Sequence, residues 1–183
     1  MINGNQMLEV IINRQSDRSY TDKTVEKEKI DRIIAAARMA PSACNAQPWK
    51  FIVVDNHELL EGLAEASSAK MLGMNQFVNQ APLIVVVIRE YANITSRFGS
   101  MVKAKDYSLI DIGIATENIC LQATAEGLGS CILGWFDEKR VRKLLSVPAA
   151  KRVELIITIG YPAKATREKK RKPETDTVSY NKY

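Results

Sequence analysis

Residues 41–49 read Pro-Ser-Ala-Cys-Asn-Ala-Gln-Pro-Trp, between a helical pattern and an apolar run. A plain connection from a helix to a strand needs only a few residues and a cap. This stretch has two prolines, which fix the backbone, and several side chains with amide or hydroxyl groups. We expect Trp49 to anchor it in the core and Gln47 to satisfy exposed backbone groups. The stretch therefore reads as a loop that presents polar groups at a fixed place, with a purely structural polar loop as the alternative.

The segments around this loop predict a sheet covered by helices. Apolar residues at helical spacing predict a helix at 25–39, and a helix at 107–126 is apolar almost all round, as at the centre of a fold or at a subunit interface. Strands buried on both faces are predicted at 51–54, 83–88, 130–133 and 153–159. The pattern predicts an α+β fold, a three-layer α-β-α sandwich with a mixed central sheet, in a single domain spanning residues 1–183.

Composition limits the classes of protein that the chain can represent. The 183 residues are 46% hydrophobic and 26% charged, which fits one globular domain. The three cysteines show no CxxC spacing, so we expect reduced thiols, no metal site and a cytoplasmic location. No signal peptide is apparent, and the longest strongly apolar run, 83–88, is too short to cross a bilayer.

Positive charge is concentrated near the C-terminus. Residues 164–172 contain six Lys or Arg against one Glu, which equals the net charge of +5 for the whole chain. Nucleic-acid-binding proteins usually spread basic residues over a face, so we expect no nucleic-acid partner and keep a nucleic-acid-binding module as a remote alternative. A local anion site or a solvated tail explains the run better.

A second basic cluster, Arg14-Gln15-Ser16-Asp17-Arg18, follows the first helical pattern. Arginine offers a planar fork that matches phosphate oxygens, and a serine hydroxyl adds a donor. A solvated turn at the end of a helix is the alternative. There is no Walker A sequence, and the glycines at 127 and 129 follow a helix, which excludes a Rossmann site. Any phosphate must therefore be held by side chains and helix ends.

Side chains for acid-base or nucleophilic catalysis are scarce. The single histidine, His57, has no evident serine or cysteine partner and is expected at the surface. We expect Asp111 to bond backbone near the long helix, and Cys44 and Cys131 to be packing residues. No catalytic side chain is assigned, and an enzyme of this composition takes its chemistry from a cofactor.

Four motifs occur in a fixed order along the chain. Arg-x-Ser-x-Arg comes first, then Pro-Ser-x-x-Asn-x-Gln-Pro-Trp before a strand, then Asp-x-Gly-x-Ala leading to Gly-Leu-Gly-Ser at 111–130, and finally Gly-Tyr-Pro with a Lys-x-Arg. Over residues 14–173, this order resembles the nitroreductase family of FMN-dependent oxidoreductases. The resemblance implies a homodimer with FMN at the interface and a tail, 163–183, that packs on the partner.

The resemblance also implies roles for individual residues. The FMN phosphate would be held by Arg14, Gln15, Ser16, Lys169 and Arg171, with Arg18 near the phosphate or the O2/N1 edge of the flavin. The other subunit would contribute Pro41, Ser42, Ala43 and Asn45. The isoalloxazine ring would run beside Ile132, Leu133, Gly134 and Trp135, with backbone N–H groups of Gly134 or Trp135 near N5. Gln15 stands where relatives carry a second basic residue, and Gly134 where they often carry an acidic one.

The implied activity is the reduction of a small organic acceptor by NAD(P)H in a ping-pong exchange. Nitroaromatics, quinones and flavins are the expected acceptors. Reductive dehalogenation and flavin breakdown on the same scaffold are the alternatives. They would depend on the irregular segment 89–106, a long loop that is expected to be functional or mobile and could cover the substrate side of the flavin.

Overall fold

A computed structural model describes residues 3–68, 74–90 and 105–183. Most of the irregular segment, 91–104, lies outside the described residues. The described helices are α1 (Gly4–Asn13), α2 (Lys27–Arg38), α3 (His57–Ser67), α4 (Tyr107–Ala125) and α5 (Glu138–Leu144). The strands are β1 (Trp49–Val54), β2 (Leu83–Arg89), β3 (Gly129–Leu133) and β4 (Arg152–Gly160). Short 3₁₀ turns span Ala43–Asn45, Gln76–Gln80 and Glu174–Asp176.

The four strands form one sheet in the order β1-β2-β4-β3. All three strand pairs are antiparallel, so the expected mixed sheet is corrected for these strands. Parallel pairing occurs at an isolated bridge between Ser16 and Ser130. The sequence misled because strands that are apolar at every position are typical of parallel sheets, yet helices on both faces bury antiparallel strands in the same way.

Helices cover both faces of this sheet, which confirms the three-layer α-β-α sandwich. Alternate residues of β2 point to opposite layers. Leu83, Val85 and Val87 belong to a core with residues of α2 and α4. Ile84, Val86 and Ile88 belong to a second core with residues of α3 and α5. These six of the seven β2 side chains are at most 2% exposed, so β2 is the most buried strand of the sheet.

The long helix α4 has one buried face and one exposed face, both of them apolar. Ile112, Ala115 and Ile119 are buried against the sheet, which agrees with a position at the centre of the fold, one of the two expected positions. Its other face exposes Leu109, Ile110 and Ile114. The adjacent helix α1 buries none of its residues and exposes Met7, Leu8, Ile11 and Ile12. Among the described helices, none has both the length and the apolar character needed to span a membrane.

Candidate functional site

The segment 14–18 is fixed against the edge of the sheet. The chain leaves α1 at Arg14, whose backbone N–H donates to Val10 O at 3.0 Å. It then runs parallel to β3 through the Ser16–Ser130 bridge, and Asp17 N donates to Ser130 O at 2.9 Å. Gly129 permits this close approach, because a Cβ there would lie 2.6 Å from Asp17 Oδ2. The backbone of the first basic cluster is therefore positioned by β3.

The chain beyond β4 returns to the same place. Tyr20 and Pro162 form an antiparallel bridge. Thr21 N donates to Tyr161 O at 2.9 Å, and Ala163 N donates to Ser19 O at 3.0 Å. These contacts direct the basic run of the tail onto residues 14–18. Two basic segments from opposite ends of the sequence thus meet.

Side-chain contacts join the two basic segments. The Arg167 backbone N–H and Nε donate to Gln15 Oε1 at 3.1 and 3.3 Å, and Arg167 Nη2 donates to Ser16 O at 2.9 Å. Lys169 Nζ donates to Ile11 O at 3.1 Å and also to Arg14 O. The ammonium of Lys169 therefore lies at the C-terminal end of α1, where the helix dipole favours a cation.

These contacts surround a cavity of about 660 Å³, here called the basic cavity. Its lining comprises Arg14, Gln15, Ser16, Arg18, Arg167, Glu168, Lys169, Lys170 and Arg171. The five residues that the resemblance assigned to the phosphate therefore line one cavity, together with Arg18. Arg167 and Lys170 were not assigned individually, although the basic run at 164–172 contains both. Six cations face one carboxylate in this lining, so the basic cavity is suited to an anion.

Electrostatics within the basic cavity show that its cations converge. The pKa of Lys169 is lowered by desolvation and by repulsion from Arg14 and Arg171. Arg14 Nε is buried and has no hydrogen-bond partner among the described residues. It lies 3.4 Å from a carboxylate oxygen of Glu117, an ion pair with poor hydrogen-bond geometry. Burial raises the pKa of Asp17, against the hydrogen bond from Gln15, which lowers it. A phosphate in the cavity would relieve the repulsion and offer acceptors to these donors.

The loop at 41–49 is held by its own side chains. Gln47 N donates to Ser42 Oγ at 3.0 Å, and Gln47 Nε2 donates to Asn45 O at 3.2 Å. Cys44, Asn45 and Gln47 have φ angles of 53°, 50° and 47°, a left-handed conformation that is uncommon outside glycine. Trp49 is buried in the core shared with α2 and α4. The expected roles of Gln47 and Trp49 are confirmed.

A buried aspartate attaches this loop to α4. Asp111 is 4% exposed, and its two carboxylate oxygens accept from Ala43 N at 3.1 and 3.2 Å. This confirms the expectation that Asp111 bonds backbone. The residues assigned to a flavin from this loop do not line the basic cavity of their own chain: Pro41, Ser42, Ala43 and Asn45.

The end of β3 forms a third region near the basic cavity. Ile132 and Trp135 are exposed, at 38% and 61%, whereas Leu133 is buried. Asn75 Nδ2 donates to Trp135 O at 3.3 Å and to Ser67 O at 3.2 Å, which fixes the turn after β3. The sequence did not indicate this role for Asn75, because the contact joins residues far apart in the chain. Since Ser130 of β3 also pairs with Ser16, one strand positions a segment of the basic cavity and carries this exposed apolar edge.

Comparison with known proteins identifies the family of this chain. The family model described as "Nitroreductase family" matches residues 11–161. The chain belongs to the nitroreductase family. A protein of Archaeoglobus fulgidus is 35% identical over 161 residues, covering 86% of each chain. The oxygen-insensitive NADPH nitroreductase of Helicobacter acinonychis is 30% identical, covering 90% of this chain and 89% of its own.

The fold agrees with solved members of this family of oxidoreductases. The FMN-dependent nitroreductase of Clostridium difficile R20291 matches with a TM-score of 0.74 and 34% identity. That match covers 96% of this chain and 99% of the other. The family membership and the fold class that the sequence motifs implied are therefore confirmed.

The remaining candidate residues of this family member lie outside the basic cavity. His57 is exposed and lies 3.7 Å from Glu61, which confirms its expected surface position. Cys131 is buried, as expected of a packing residue, whereas the same expectation for Cys44 is wrong. Cys44 stands in the left-handed turn of the 41–49 loop, which is exposed to solvent. Across 3–68, 74–90 and 105–183, no group of three His, Cys, Asp or Glu residues is placed to hold a metal ion.

Proposed function

We propose that the protein is an FMN-dependent oxidoreductase that oxidises NAD(P)H and then reduces a small organic acceptor, such as a nitroaromatic, a quinone or a flavin. The observation that carries the proposal is the basic cavity, where both predicted phosphate-binding segments converge. The name of the Clostridium difficile relative includes FMN, and that of the Helicobacter relative includes NADPH. The proposal extends these names to the present chain.

The residues of the basic cavity fit a phosphate monoester. Arg14 and Arg18 come from the segment after α1, and Lys169 and Arg171 come from the tail. Such a dianion prefers several converging charge-assisted donors, and the Ser16 hydroxyl adds an uncharged one. The pKa of Lys169 is lowered by desolvation and then by repulsion from Arg14 and Arg171, as expected where cations lie close together.

The flavin, when bound, supplies the hydride chemistry, accepting a hydride from the nicotinamide and passing reducing equivalents to the acceptor. The protein contributes binding and orientation. Arg18 would place positive charge near the phosphate or near the O2/N1 edge of the ring, and a backbone N–H of Gly134 or Trp135 would donate at N5. Ile132 and Leu133 precede them on β3, and Asn75 holds the turn that carries these N–H groups. No side chain is assigned as a catalytic acid or base.

We extend the proposal to a homodimer with the flavin at its interface. The exposed apolar side chains of α1 and α4 support it, because a helix of ten residues that exposes four large apolar side chains is typical of a covered surface. Residues 170–183 are exposed along their whole length and include Tyr180, which is 81% exposed. This tail would pack on the partner, and Pro41, Ser42, Ala43 and Asn45 would reach the partner's flavin.

The cofactor and the activity are tested together. The purified protein should be yellow, and heat should release FMN, identified by chromatography and mass. The holoprotein should then oxidise NADH or NADPH with a nitroaromatic, a quinone or free flavin, in parallel-line kinetics typical of a ping-pong exchange. A halogenated phenol in the same panel distinguishes the alternative of reductive dehalogenation. A colourless protein that binds no added FMN would exclude the proposal.

The dimer is tested by charge substitution on α1. The double variant Leu8→Lys/Ile12→Lys places two charges on the exposed apolar face, where the side chains are 52% and 54% exposed in the single chain. We expect a monomer in sedimentation velocity and a loss of FMN. Glu9→Lys, on the same helix but at an exposed polar position, is the control and should remain dimeric. A wild-type monomer that holds FMN tightly would contradict the interfacial site.

A further inference from the structure

Gln15 occupies the cationic segment, but its side chain is engaged on both sides. Its Oε1 accepts from Arg167, at 3.1 Å from the backbone N and 3.3 Å from Nε. Its Nε2 donates to Asp17 Oδ1 at 2.8 Å. A carboxamide engaged in this way is oriented to hold Arg167, which has no place among the residues that the family resemblance assigns to the phosphate.

Arg167 is held in the lining of the basic cavity with donors to spare. Its Nη2 donates to Ser16 O at 2.9 Å, in addition to the contact of Nε with Gln15. A guanidinium carries five N–H donors, so two such contacts fix its plane and leave donors for an anion. Arg167 also places a positive charge in the cavity lining next to the uncharged side chain of Gln15.

Asp17 lies behind this pair and does not line the basic cavity. Its carboxylate accepts from Gln15 and packs against Gly129, where a Cβ would come within 2.6 Å of Oδ2. A carboxylate so close to an anion site opposes anion binding through its charge. Any favourable contribution from Asp17 must therefore come from the geometry that it imposes on Gln15.

We propose that Arg167 is a direct ligand of the cofactor phosphate, and that Gln15 and Asp17 are positioning residues that hold it in the basic cavity. The hydrogen-bonded series Asp17–Gln15–Arg167 places the positive charge of Arg167 beside Gln15, where the resemblance implies a second basic residue in relatives. It makes the site selective for the phosphorylated flavin over riboflavin. This inference rests on the proposed function, since it concerns the same cofactor.

The role of Arg167 is tested by titrating full-length apoprotein with FMN and with riboflavin, following the quenching of flavin fluorescence. Arg167→Ala should weaken FMN binding about tenfold, the usual size of one charge-assisted contact, and leave riboflavin binding unchanged. Arg167→Lys keeps the charge but loses the fork, so it should recover only part of the loss. Lys164→Ala removes the same charge from the same tail outside the cavity and should change FMN binding less than about twofold.

The role of Asp17 is tested by whether its substitution raises or lowers the affinity for FMN. Asp17→Asn keeps an oxygen that accepts from Gln15 and should bind FMN at least as tightly as the wild type. Asp17→Ala removes that oxygen and should bind FMN about fivefold more weakly, as is usual for a lost positioning hydrogen bond. Charge alone predicts that both variants bind FMN more tightly. Equal or tighter binding by Asp17→Ala, relative to Asp17→Asn, would overturn the positioning role.

Gln15→Ala provides an independent test that does not depend on the folding of Asp17→Ala. It should weaken FMN binding. The double variant Gln15→Ala/Arg167→Ala should bind FMN no more weakly than Arg167→Ala, because Gln15 acts only by positioning Arg167 and has no effect once Arg167 is gone. Additive losses would overturn the inference. If the wild type binds FMN and the FMN affinity of Arg167→Ala equals that of Lys164→Ala, the inference fails and the proposed function stands. If the wild type binds no FMN, both fail.

Discussion

The basic cavity and the 41–49 loop are built in opposite ways. The cavity is lined by two distant parts of the chain, the segment after α1 and the tail after β4, and β3 positions the first of them through the Ser16–Ser130 bridge. The loop is held by bonds within itself, with one buried carboxylate, Asp111, from outside. We infer that substitutions in the cavity can abolish ligand binding without unfolding the protein. Substitutions that disturb the loop should also destabilise the core, because Trp49 at its end is buried there.

The largest expected effect is the loss of FMN binding when two arginines of the cavity are replaced. Arg14→Ala/Arg18→Ala removes two charge-assisted ligands and should weaken FMN binding roughly a hundredfold or more, with little change in the melting temperature of the apoprotein. Fluorescence titration and thermal unfolding measure the two quantities. Lys139→Ala/Lys143→Ala removes two exposed charges from α5 and serves as the control. Full flavin occupancy in the arginine variant would place the phosphate elsewhere.

Asp111→Ala should affect the loop and the fold together. It deletes the acceptor of Ala43 N at a site that is 4% exposed, which should lower the free energy of unfolding by about 2 kcal/mol. Asp111→Asn keeps an acceptor oxygen and should lose less. Urea denaturation measures both variants. A stability of Asp111→Ala equal to that of the wild type would show that the loop is not attached through this contact.

A smaller effect on stability is expected from substitutions at Cys44, where the loop backbone is left-handed. Cys44 is exposed with φ of 53°, so Cys44→Val introduces a β-branched residue where that conformation is strained. We expect a loss of about 1 kcal/mol in the free energy of unfolding. Cys44→Gly, which adopts this conformation without strain, is the matched control and should be at least as stable as Cys44→Val. The reverse order would mean that the turn is not left-handed.

The smallest expected effect concerns Tyr161, which directly follows β4. The Tyr161 hydroxyl is the main cause that lowers the pKa of Glu26 to about 2, from an ordinary 4.5. The ionised carboxylate therefore stabilises the fold above pH 4.5, and this contribution is lost as pH falls towards 2. The stability difference between the wild type and Tyr161→Phe should narrow over that range in urea denaturation. A constant difference would show that Glu26 does not titrate against Tyr161.

Local pattern was enough to predict the four strands and the helices α2 and α4. The apolar run that becomes β2 contains no polar residue before Arg89. Strand direction was not predictable, because burial on both faces leaves parallel and antiparallel strands with the same composition. The antiparallel arrangement appears only in the register between strands.

Six of the residues that line the basic cavity were predictable, but their contacts were not. The motif order indicated Arg14, Ser16 and Lys169, and the structure brings them into one cavity. The contact between Arg167 and Gln15 joins residues 152 positions apart and leaves no periodic trace in the sequence. The same holds for Asn75 with Trp135. Such contacts depend on the packing of the tail and of the turn after β3.

The most direct test of the account compares FMN with riboflavin in binding to the wild-type full-length apoprotein. The two flavins differ only in the phosphate, which is the group that the basic cavity is proposed to hold. Isothermal titration calorimetry should give FMN an affinity at least about a hundredfold higher than that of riboflavin, since several charge-assisted contacts depend on the phosphate. Equal affinities, or no binding of either flavin, would contradict the account.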